Sequence, residues 1–184
     1  MSTANESLSR AQDLLGIFHS DKNSFALIKP VEAIHVPEPF HALLHHNSHM
    51  TVAMERHHGG PVSLQVVQVK EEAGNGFAYS REIVLTRGDK NIVQYGVVRL
   101  NLSVIEPRLA DAIRNRKTPL GRLLIEADVL REVRNVALLE VLPRDGLRKL
   151  FGCSEEPSRT FGRVAHILLD NQPAVELLEV ASPE

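Results

Sequence analysis

Three consecutive stretches constrain this fold more than anything else in the chain. Residues 62–72 read VSLQVVQVKEE, residues 77–87 read FAYSREIVLTR, and residues 92–102 read IVQYGVVRLNL. Each is rich in Val, Ile, Leu or Tyr, and the gaps AGNG and GDKN between them hold turn-forming residues. Strands joined by loops this short pair antiparallel, because a parallel pair needs a crossover of a dozen or more residues. The spacing therefore predicts a three-stranded meander over 62–102.

Helical patterns surround the meander. In SLSRAQDLLGIF, from Ser7 to Phe18, Leu14, Leu15 and Phe18 fall on one stripe after a Ser cap. Two prolines in HVPEPF break the chain. PFHALLHHNSH and HMTVAMERHH then read as two short helices around a kink at Asn47 and Ser48, and Gly59-Gly60-Pro61 stops the second. IEPRLADAIRNRK (105–117) is helical, and Thr118 with Pro119 at the first position opens another helix. Residues 140–162 show no clear period. GRVAHILLD, the turn NQP and AVELLEVASPE predict a second hairpin that closes the sheet. The class is α+β, with an antiparallel sheet and helices grouped on one face or end. No repeat or linker divides the 184 residues, so one domain spans 1–184, with 1–6 as a loose tail.

Composition narrows the function classes. A formal net charge of -2 and the absence of Trp give no basic surface and no stacking strip, so no nucleic-acid partner is expected. No apolar run approaches the ~18 residues of a membrane span, and the N-terminus lacks a signal-peptide pattern. The single Cys153 cannot form an internal disulfide, which suits a reducing cytoplasm. Its setting, FGCSEEPS, is acidic, which disfavours a reactive thiolate.

FHALLHHNSHMTVAMERHHGG (40–60) concentrates the histidines. His41, His45 and His49 follow a spacing of four, but three residues over two helical turns cannot converge on one ion. With no HExxH and no Cys pair, no metal is expected, and these side chains read as the polar face of a helix. No GxSxG elbow and no phosphate-binding glycine loop occur. Arg81 shares strand parity with Ile83 and Leu85. It is either an edge arginine reaching solvent or a carboxylate clamp inside a pocket. Glu176 and Glu179, three apart on the last strand, point to opposite faces, so one faces the core side. A buried carboxyl there could serve as a general acid.

YSREIVL, followed some thirty residues on by RKTPLGRLL, resembles the chorismate pyruvate-lyase family. HMTVAMERHHGGPVSL upstream and DNQPAVELLEVASP downstream fit that family's order, so the resemblance runs from about Pro39 to the C-terminus. One departure is the third strand, YGVVRLN, where the family's arginine is displaced to Arg99 and its proline is lost. The resemblance implies a six-stranded antiparallel sheet flanked by helices, with an aromatic ligand enclosed under helical flaps. It implies a cytoplasmic lyase of ubiquinone biosynthesis that eliminates pyruvate from chorismate to give 4-hydroxybenzoate, without cofactor or metal. Arg81 would then be the active-site arginine and Glu179 or Glu176 the general acid. Met50 and Leu120 would be flap positions against the ligand. The chain would act as a monomer or homodimer, with no nucleic acid and no membrane. The alternative from another class is a non-catalytic domain of the same fold that binds a small aromatic acid.

Overall fold

In the computed structural model, residues 4–88, 90–153 and 159–183 are described. Seven strands form one sheet: β1 (Ala26–Pro30), β2 (Ser63–Glu71), β3 (Tyr79–Thr86), β4 (Ile92–Leu100), β5 (Arg131–Pro143), β6 (Thr160–Leu169) and β7 (Gln172–Ala181). Their order is β1-β5-β6-β7-β4-β3-β2, and every neighbouring pair is antiparallel. The expected meander is β2-β3-β4 and the expected hairpin is β6-β7. The hairpin turns through Asp170 and Asn171, both at positive φ (49° and 63°), the geometry of a type I′ turn.

The sheet has one strand more than the six expected. The short edge strand β1 ends in a proline and pairs with β5, whose alternation is broken by a bulge between Arg134 and Ala137. Asn135 inside that bulge sits at φ 53°. An interrupted period of two is what hid β5 from sequence reading.

Helices cover both faces, not one. On the first face lie α1 (Ala4–Gly16), the single turn α2 (Lys22–Phe25) and α7 (Asp145–Phe151). Leu14, Leu15, Phe25 and Leu147 pack there against Val84, Tyr95, Val97, Leu139, Val164 and Leu178. The first helix starts at Ala4 rather than Ser7. Ser7 lies within it and bonds back to the Ala4 carbonyl at 2.9 Å instead of capping.

The second face carries two helical flaps. One is α3 (Phe40–Leu44) with α4 (Met50–His58), joined through residues 45–49. The other is α5 (Pro107–Arg114) with α6 (Leu120–Glu126). Gly59 ends α4 at φ 68°, the left-handed stop expected there. Pro119, not Thr118, occupies the cap position of α6, and no side chain caps it. Phe40, Leu43, Leu44 and Met54 pack on Ile83, Leu85 and Phe161, while Leu109, Ile113 and Leu124 pack on Val98, Leu100 and Ile167. The gap between these two apolar clusters is where the site lies.

Candidate functional site

Strand parity decides which polar residues face this gap. Tyr79, Arg81, Ile83 and Leu85 project from β3 toward the flaps, and Glu82 and Val84 project toward α1. On β7, Glu179 stands in register with Gly96 of β4 and Arg163 of β6, and it lines the cavity. Glu176 faces the other way. It pairs with Arg99, whose Nε donates at 2.7 Å, on the α1 side where Arg10, Asp13 and His166 also lie. The two glutamates that the sequence left open thus separate cleanly.

The cavity measures about 40 Å³ and is walled by Ile83, Leu85, Val98, Val133, Ile167 and Leu177. That is room for about three water-sized groups, at roughly 10–15 Å³ each. Met50 and Leu120, the flap positions, both line it. Gly121 lets the flaps meet: a Cβ there would stand 3.0 Å from Thr51 Oγ1 and 3.1 Å from His49 Cβ. Arg122 then bonds both carboxylate oxygens of Glu55 at 2.7 Å, tying α6 to α4. Each residue of PLGR therefore has a structural reason at the flap junction.

Arg81 is 1% exposed, yet among the described residues its guanidinium meets no carboxylate. Its Nη1 makes one long contact to the Ile113 carbonyl at 3.4 Å, and its Nε has no hydrogen-bond partner. Burial pulls its pKa down from the usual arginine value; the neighbouring Tyr79 phenol offsets part of that effect. The Tyr79 hydroxyl itself lies outside hydrogen-bond geometry and is also unpartnered. Buried polar groups without partners are rare and point to something that completes them.

Arg163 is equally buried but fully engaged. Its Nε donates to Glu179 Oε2 at 2.7 Å. Its other nitrogens donate to the carbonyls of Leu44 (3.4 Å), His46 (2.8 Å) and Ser48 (3.3 Å). It is a staple between the sheet and the loop joining α3 to α4. Nothing in the sequence reading singled it out, although it shares parity with Phe161, Ala165 and Ile167 just as Arg81 does with its neighbours.

The histidines divide. His41 and His45 touch each other at 3.1 Å on the outer face, and His57 stacks edge-on with His58. His49 instead turns inward and lines the cavity at 8% exposure, which corrects its placement on a polar face. Burial, reinforced by Arg131 and Arg163, pushes its pKa down to about 4. Among the described residues, no three His, Cys, Asp or Glu side chains gather into a metal-binding group. Residues 154–158, which carry the acidic neighbours of Cys153, lie outside the described residues.

No family model matches this chain, and no curated protein matches it. Solved structures do match. The ligand-binding domain of a putative GntR-family transcriptional regulator from Bordetella bronchiseptica superposes with a TM-score of 0.50 at 10% identity, over 65% of this chain and 85% of that domain. The effector domain of PhnF from Mycobacterium smegmatis superposes with a TM-score of 0.50 at 13% identity, over 73% of this chain and 88% of that domain. The chain therefore has the α+β, chorismate lyase-like fold that such ligand-binding domains share.

These likenesses overturn the lyase reading. The solved folds are ligand-binding and effector domains of regulators, so a chorismate-cleaving enzyme of ubiquinone biosynthesis is not what the match indicates. The site agrees with the correction. Glu179, expected as a proton donor, is the acceptor in an ion pair with Arg163. Glu176 is on the wrong face of the sheet. The expectation of no nucleic-acid partner also lapses, since the matching domains come from transcriptional regulators. No helix among the described residues is long and apolar enough to cross a membrane.

Proposed function

We propose that this chain is a non-catalytic domain that binds a small organic acid in the cavity under its flaps. The observation that carries this reading is Arg81: a guanidinium buried to 1% exposure, with an unpartnered Nε and, among the described residues, no carboxylate beside it. Burying an unpaired charge is costly, and a guanidinium fork matches a carboxylate better than any other anion-binding side chain. The aliphatic walls suit an apolar ligand body that enters by parting the flaps, where Met50 and Leu120 line the cavity. Solved domains of this fold are described as ligand-binding and effector domains, which supports the same reading. The one thiol of the chain is compatible with a cytoplasmic setting.

The test is calorimetric titration with benzoate. Wild type should bind, and Arg81→Met should lose binding by at least a hundredfold while remaining folded. Chorismate added to wild type should release no pyruvate. Equal benzoate affinity in the two proteins would refute the assignment, and steady pyruvate release would restore catalysis.

A further inference from the structure

Two residues that line the same cavity each carry a buried polar atom without a partner, and together they define what the ligand must carry. One atom is Arg81 Nε; the other is Gln94 Oε1 on β4, in a side chain 2% exposed. Gln94 pairs with Leu85 in the sheet, while Arg81 pairs with Val98. Four residues along and one strand across place their Cα atoms about 14 Å apart. Both side chains stand on the flap face, so a ligand between them would lie along the strands.

The charge balance of the cavity sets a second requirement. Its titratable lining consists of His49, Arg81, Arg163 and Glu179. Arg163 and Glu179 neutralise each other at 2.7 Å. His49, with its pKa near 4, is neutral at pH 7. Arg131, close enough to depress His49, lines none of the cavity and donates to the carbonyls of Leu124 and Val129. One uncompensated positive charge is left, on Arg81. A second negative charge on the ligand would enter a low-dielectric site without a partner.

We infer that the site selects a small acid with a single negative charge and an uncharged hydrogen-bonding group at its far end. Arg81 takes the carboxylate and Gln94 reads the other end as the specificity-determining residue. A hydroxyl fits that role, because it both donates and accepts and so completes a primary amide in either orientation. A second carboxylate, or a doubly charged phosphate ester, does not fit. This inference rests on the reading of the cavity as an acid-binding site.

Titration of wild type and Gln94→Met with benzoate, 4-hydroxybenzoate and benzene-1,4-dicarboxylate tests it. In wild type the hydroxy acid should bind about tenfold tighter than benzoate, the effect of satisfying one buried acceptor. The dicarboxylate should bind at least tenfold more weakly than the hydroxy acid. Gln94→Met should bring the hydroxy acid level with benzoate, whatever its effect on benzoate itself. If benzoate binds but the dicarboxylate matches the hydroxy acid, the inference falls and the acid site stands. The same follows if the hydroxyl advantage survives in Gln94→Met. If none of the three acids binds to wild type, both the site and the inference fall.

Discussion

At the scale of single residues, Arg81 and His49 set function against stability. An uncompensated guanidinium in an apolar cavity opposes folding, so its replacement by a side chain of similar volume should help. Arg81→Met is expected to raise the thermal midpoint by a few degrees, or about 1–2 kcal/mol, while abolishing acid binding. A scan of both proteins in the absence of ligand checks this, and a large fall in the midpoint would mean Arg81 is structural. His49 makes stability depend on pH. Its pKa falls from 6.5 in the unfolded chain to about 4, chiefly through burial. Between those values the unfolded state binds a proton that the folded state refuses. Stability is therefore full above pH 6.5 and declines as the pH drops toward 4, by on the order of 3 kcal/mol from this residue. His46 and His166 are shifted in the same direction. Unfolding of His49→Gln in urea at pH 7 and pH 4.5 should show a smaller difference than wild type. Of these residues, Arg81 was legible because an arginine stood out in an alternating apolar strand. Gln94 was not: it keeps parity with Gly96, Val98 and Leu100, but a lone neutral amide near a strand end reads as a solvent-facing residue.

At the scale of elements, the flaps are held by few and specific contacts. Arg163 joins the pocket to the backbone of Leu44, His46 and Ser48, so one side chain governs both the charge of the cavity and the position of the first flap. Removing one member of such a buried pair strands the other. Arg163→Met and Glu179→Met are each expected to cost about 3–5 kcal/mol, and the double variant less than their sum. Urea unfolding of all four proteins gives the coupling, and strict additivity would show that the pair is not a unit. Gly121 tests the junction between the flaps. Its alanine variant would press a methyl group to 3.0 Å from Thr51 Oγ1 and 3.1 Å from His49 Cβ, so those side chains must give way. Gly121→Ala should make the 45–49 loop easier to cleave by protease and weaken acid binding severalfold. The two flap helices around Asn47-Ser48 and the PLGR helix start could be read from proline, glycine and apolar spacing. β1 and β5 could not. The first is five residues long, and the second loses its period at the Asn135 bulge.

At the scale of the molecule, the two faces of the sheet are finished differently. On the α1 face the buried Glu82 is completed by the Tyr95 hydroxyl (2.8 Å), Gln68 Nε2 (3.0 Å) and His19 (2.5 Å), and His19 stacks on Phe25 at 3.8 Å. On the flap face Arg81 and Gln94 keep incomplete polar atoms in the lining of a cavity too small for a ring, and the Tyr79 hydroxyl outside that lining is incomplete as well. One sheet thus carries a settled half and an unsettled half, and the proposed ligand would act on the second. An acid entering must part the flaps, fill the cavity and satisfy those atoms. By mass action it stabilises the whole chain by about 2.7 kcal/mol at a hundredfold excess over Kd, a rise of roughly 5–10 °C for a chain of this size. The distribution of that stabilisation is the sharper test. Amide exchange with saturating 4-hydroxybenzoate should slow first in α4, α6 and the 45–49 loop, whose openings are local. The amides of α1 should change only as far as global stability does. Equal slowing of α1 at low denaturant, where local openings dominate, would place the ligand on the other face.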